Sequence, residues 1–220
     1  MADLADVRST IFTEVTNDDP DIRQNFRERY DRQVGEFCDA MADATIRWKA
    51  FDVGSDKIER KAFVSALVYS AITLHVQSMK LFLSGQPIAA GNLTRQVVEA
   101  IAIALLCSGK DLGVLDRFMV DKYSSNDAVR DVCRHWKNLN LLEPGVTALK
   151  EAQDFYHLYS HPTKMTIASI TSFSEEGYYV GASFDEGKVE AYDKEIAGRI
   201  SLAKVFPNFV DAVDANVAKW

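Results

Sequence analysis

Apolar residues recur along most of this chain with the three-and-four spacing that gathers them on one side of a helix. Leu4, Val7, Ile11 and Val15 make a first short stripe. Ile22, Phe26, Tyr30, Val34, Phe37, Met41, Ala44, Trp48 and Phe51 make a second. The second predicts one long amphipathic helix opening at Asp19-Pro20, an N-cap followed by proline at the first helical position. Gly54-Ser55 predicts a stop and a fresh start. Over residues 62–108 the pattern changes. Two segments are apolar nearly all round and are joined by Gly85-Gln86-Pro87, which predicts an antiparallel helical hairpin buried on several sides. Shorter helices are expected over 112–123, over 128–139 with Asn126 as cap, and over 146–159, the last ended by Pro162. Residues 166–173 and 178–184 are rich in β-branched and aromatic side chains and flank Glu175-Glu176-Gly177, the signature of a β-hairpin. A final stripe, Ile196, Ile200, Ala203, Phe206, Val210, Val213 and Val217, contains Pro207 and predicts a kinked helix. The expected fold is all-α, a multi-helix bundle around the long hairpin, with one small β-hairpin near residues 166–184. No repeat, linker or low-complexity tract interrupts it, so residues 1–220 read as a single helical domain.

Composition narrows the function classes. Apolar residues make up 47% of the chain, enough for a sizeable core, and the net charge is −7. That balance argues against a generic nucleic-acid coat, which needs surplus Lys and Arg to displace counterions. Cys38, Cys107 and Cys133 form neither a disulfide framework nor a zinc knuckle, and free thiols suit a reducing compartment, so a cytoplasmic location is expected. The first residues are acidic and lack the apolar run of a signal peptide. His75 and Lys80 interrupt one apolar window, and Arg95 and Glu99 the other. Charges in mid-span are costly in lipid, so these segments read as buried helices rather than membrane spans. Arg23, Arg27, Glu28, Arg29, Asp31 and Arg32 read as a solvated face of the long helix or as a basic patch for a partner.

Polar groups concentrate in two places. In the hairpin, Asn92, Arg95 and Glu99 share a helix face, and His75 falls level with Arg95 and Glu99 across the turn. They read either as a buried Arg–Glu pair fixing helix register beside a core histidine, or as the floor of a ligand cleft. The second concentration is Asp154, Tyr156, His157, Ser160 and His161. The two histidines have helical i, i+4 spacing, but no H-E-x-x-H pattern accompanies them, and no metal or cofactor is expected. No P-loop, dinucleotide fingerprint or nucleophile elbow is present. The candidate ligand-binding set is therefore His75, Arg95, Glu99, Tyr156, Ser160 and His161, for an unknown small ligand or protein partner.

The run Leu81-Phe82-Leu83-Ser84-Gly85, then Leu93, Arg95 and Glu99, followed by Tyr156-His157-Leu158-Tyr159-Ser160-His161-Pro162, resembles a family of bacterial helical proteins of uncharacterised function. That family has a Gly-turn, an R-x-x-x-E helix and a later Y-x-x-x-S helix followed by His-Pro. The resemblance spans residues 62–162. The family is distantly similar to the HEPN and abortive-infection group, whose active members carry R-x4-6-H and cut RNA without metal. Arg130-Asp131-Val132-Cys133-Arg134-His135 fits that spacing. The resemblance thus implies an alternative, a metal-independent endoribonuclease acting in toxicity or phage defence. Arg130 and His135 would be catalytic in a cleft between two subunits of a homodimer. The plainer reading of those two residues is a solvated helix face.

Overall fold

The computed structural model describes residues 3–55, 58–175, 177–179 and 181–220. Among them the fold is all-α. The helices are α1 (Leu4–Thr16), α2 (Pro20–Val53), α3 (Glu59–Leu83), α4 (Pro87–Ser108), α5 (Val114–Met119), α6 (Ala128–His135), α7 (Glu143–Tyr156), α8 (Lys164–Ile170) and α9 (Val189–Val217). Short 3-10 turns at Lys110–Leu112, Ser125–Asp127, His157–Tyr159 and Glu186–Lys188 link or extend them.

The α3–α4 hairpin forms as the pattern predicts, and it is the most extensive helix pairing in the molecule. Its turn is a Schellman motif: the Gln86 N–H donates to the Leu81 carbonyl (3.1 Å) and the Gly85 N–H to the Phe82 carbonyl (3.0 Å). Gly85 has φ 72°, and a Cβ there would lie 2.7 Å from Ile22 Cγ2 and 2.9 Å from the Ser183 backbone, so both conformation and space demand glycine. α2 and α9 pack against each other and each against α3, while α4 is covered by α9 on one side and by α5, α6 and α7 on another. One contiguous apolar core runs through α2, α3, α4 and α9 and on into α5, α6 and α7. α3 and α4 are each long and apolar enough to cross a membrane by length and composition; 44% and 56% of those windows are buried inside the fold.

Several local expectations change. Asp19 precedes Pro20 as expected but has φ 45° and makes no side-chain cap. Asn126 falls in a 3-10 turn, and α6 opens after Asp127. Pro207 lies inside α9, which continues past it to Val217. The β-hairpin is the main correction. Residues 164–170 are helical, because Thr163 and Thr166 form a reciprocal capping box that nucleates α8 just after Pro162. Local capping there overrides the β-preference of Thr166, Ile167 and Ile170. Of the expected ribbon, a single antiparallel bridge, Thr171 to Tyr178, is present among the described residues. Glu176 and Val180, part of the expected turn and second strand, lie outside the described residues. The segment is held instead by Asp185, which accepts from the Phe173 N–H (2.7 Å) and the Gly187 N–H (2.9 Å). Lys188 reaches across it to the Ser169 carbonyl (2.9 Å).

Candidate functional site

The 3-10 turn that extends α7 lies directly on α4. Gly91 permits this approach, because a Cβ there would lie 2.3 Å from Cγ of Tyr159. With Tyr159 seated, Ser160 meets Arg95 across 65 residues of sequence: Arg95 Nη1 donates to Ser160 Oγ at 2.6 Å. Arg95 Nε donates to Glu99 Oε1 at 2.9 Å, and the two side chains are 21% and 14% exposed. Ser160 Oγ in turn donates to the His157 carbonyl (2.8 Å). His157 and His161 stand exposed beside this group with ring centroids 4.6 Å apart. Arg95, Glu99 and Ser160 thus form a connected layer that reaches the surface, while the His161 ring stands exposed one residue on, without a hydrogen bond to them among the described residues.

Tyr156 belongs to a second layer beneath it. Its ring lies near that of Tyr159 (6.0 Å between centroids) and 5.8 Å from the Arg199 guanidinium. Arg199 of α9 is fully buried and Glu195 nearly so. Arg199 Nη1 donates to the Glu195 carboxylate, and the Tyr159 hydroxyl donates to the other carboxylate oxygen. The guanidinium also lies 4.9 Å from the centre of the Phe82 ring. Arg199 Nε and Nη2 have no hydrogen-bond partner among the described residues, so ring faces provide much of their compensation for lost water. The sequence pattern misses this pair. Glu195 and Arg199 sit one position before Ile196 and Ile200 of the apolar stripe, where a charged i, i+4 pair reads as the solvated edge of the helix. The signal that would expose them is the burial of α9 on α2, α3 and α4 at once.

His75 does not join Arg95 and Glu99. Its ring stacks on Phe206 (5.2 Å, 4° between planes) and tilts against Phe37 (5.0 Å). Its Nε2–H donates to the Arg199 carbonyl at 3.0 Å. The face of α3 that carries it looks toward α2 and α9, so being level along the hairpin does not put it on the side of α4 that holds Arg95. Burial lowers its pKa to about 3 and keeps it neutral. It meets the inner layer through the α9 main chain, at the Arg199 carbonyl.

Arg130 and His135 are placed differently again. Arg130 is 56% exposed and paired with Asp127 (2.8 Å) and, more loosely, Asp131 (3.7 Å). His135 lies five positions on, about 140° around α6 for an ideal helix, and is half-buried. No three His, Cys, Asp or Glu side chains converge as metal ligands among the described residues.

The two phenols of the inner layer are both pushed upward, away from the physiological range. Burial raises the Tyr156 phenol to about 12, and burial together with the Glu195 charge raises Tyr159 as well. Elsewhere in the core, burial raises the Cys107 thiol to about 12. A general acid or base works best with a pKa near the operating pH, and none of these is tuned that way. Nor is Ser160 poised as a nucleophile, since its proton points at a main-chain carbonyl rather than a base.

Comparison with family models, with curated proteins and with solved structures finds no match for this chain.

Proposed function

We propose that this protein is a non-enzymatic recognition protein that binds a small anionic ligand, a carboxylate or phosphate, at the layer formed by Arg95, Ser160 and His161. The observation that carries this reading is the Arg95–Ser160 contact. It joins two distant motifs at the surface and leaves a fixed guanidinium partly open to solvent, and the segment that carries Ser160 also carries the exposed His157 and His161. With Nε held by Glu99 and Nη1 by Ser160, the guanidinium keeps Nη2 as a charged donor for an oxyanion. The buried Arg199–Glu195–Tyr159 group beneath holds the turn in place rather than reacting. Isothermal titration calorimetry with inorganic phosphate and with succinate tests the reading. Saturable binding of either by the native chain is expected, at least tenfold weaker in Arg95→Gln and unchanged in Arg130→Gln. Equal affinity in the native chain and Arg95→Gln, or no binding of either anion, overturns it.

A further inference from the structure

Helix α1 lies apart from the core. It has no buried residue, and of its side chains only Glu14 is partly covered, accepting from the Ala182 N–H at 3.0 Å. Yet its sequence is that of a packed helix. Leu4, Val7, Ile11, Phe12 and Val15 share one side and are 44–81% exposed. Asp3 at the N-cap, Asp6 and Glu14 lie off that side, whereas Arg8, four residues from both Leu4 and Phe12, interrupts it; the three acids outnumber it on the helix as a whole.

A complementary surface lies between α2 and α3. A shallow groove of about 230 Å³ is floored by Val34, Phe37, Met79 and Leu83, with Val76 and Cys38 at its edges. Arg23, Arg27 and Lys80 rim it, and no carboxylate lines it among the described residues. None of the three cations forms an ion pair with a described residue, although Arg23 and Lys80 also wall an adjoining polar hollow that contains Asp18 and Asp19. On a chain of net charge −7, three cations around an apolar groove are a local concentration of positive charge, tempered at one end by Asp18 and Asp19.

We propose that this groove receives the α1 helix of a second copy of the chain, each copy giving its α1 to the other. Three features fit that occupant. The apolar stripe of α1 matches the apolar floor, and its acids match the cationic rim. Size agrees too: the groove is smaller than the roughly 300–1,000 Å³ of a small-molecule pocket, which suits a side-chain anchor such as Phe12. Reciprocal exchange uses the same two patches on both copies and closes as a two-fold dimer. The surface is separate from the Arg95 layer, so the proposal stands or falls independently of it.

Sedimentation velocity of the full chain from low to high micromolar concentration tests it. The native chain is expected to run as a dimer. Phe12→Asp on α1 and the pair Arg27→Glu with Lys80→Glu on the groove should each weaken the dimer at least tenfold. All these side chains are exposed, so folding should survive, and circular dichroism checks that it does. Adding Asp3→Lys and Asp6→Lys to the groove-reversed chain should restore the dimer. A native chain that is monomeric throughout overturns the proposal, whether α1 is free or folded back on its own groove. So does a dimer that neither set of substitutions weakens.

Discussion

Two arginine–glutamate pairs at i, i+4 spacing lie within one molecule in opposite circumstances. In α4, Arg95 precedes Glu99 and both reach solvent, with side-chain exposures of 21% and 14%. In α9, Glu195 precedes Arg199, and the exposures are 6% and 0%. The chemistry is the same and the consequence differs. The outer pair can still exchange partners with water or with a ligand. The inner pair has given up nearly all contact with water, and its cost is offset by the Tyr159 hydroxyl and by the ring faces of Phe82 and Tyr156. Removing one member of such a pair strands the other, whereas removing both need not destabilise at all.

That contrast can be broken most forcefully at Arg199. Arg199→Met leaves the buried Glu195 carboxylate without its cation and should cost about 3–5 kcal/mol in urea unfolding. Adding Glu195→Gln should recover at least half of the loss, because the stranded charge is gone. A double variant no more stable than the single one would mean that Arg199 acts through its packing alone.

The next largest effect is a pH dependence next to the inner pair. His75 is neutral in the folded chain down to about pH 3, against an ordinary value of 6.5, chiefly because it is buried. Between those values the unfolded chain binds the extra proton, so stability is intact above 6.5 and falls as pH drops through the window. The slope from this one group approaches about 1.4 kcal/mol per pH unit. In His75→Phe, which keeps a ring against Phe206, unfolding measured from pH 7 to 4.5 should show a slope shallower by about one proton. Identical slopes would assign the acid sensitivity to other groups.

At the outer pair the effect should be smaller. Arg95→Gln loses charged hydrogen bonds to Glu99 and Ser160, but water reaches the site, so about 1 kcal/mol is expected by chemical denaturation. A loss as large as that at Arg199 would erase the distinction between the two layers. The smallest effect belongs to α6. Arg130→Ala removes an exposed side chain and two surface ion pairs and should stay within about 0.5 kcal/mol. If His135→Ala abolished cleavage of single-stranded RNA in the presence of chelator while the fold survived, the ribonuclease reading would replace ligand binding.

The helical pattern is legible in the order of residues alone, and its reach can be traced position by position. The stripe from Ile22 to Phe51 marks α2, though not the kink at Tyr30 (φ −117°, ψ 19°) that divides it, the all-round apolar runs mark α3 and α4, and Gly85 marks their turn, because period and backbone permission are local properties. The meeting of Arg95 with Ser160 is half legible. Each motif announces itself, but what joins them is the missing Cβ at Gly91, which admits the Tyr159 ring. The β-preference over 166–173 misleads, since a capping box at Thr163 and Thr166 outweighs it. Three-dimensional packing alone reveals that Glu195 and Arg199 are interior and that His75 turns away from Arg95. A helix with a charged i, i+4 pair beside an apolar stripe reads the same whether its polar edge meets water or a neighbour. Which of the two it meets depends on how many helices close around it, and no pattern within one helix carries that information.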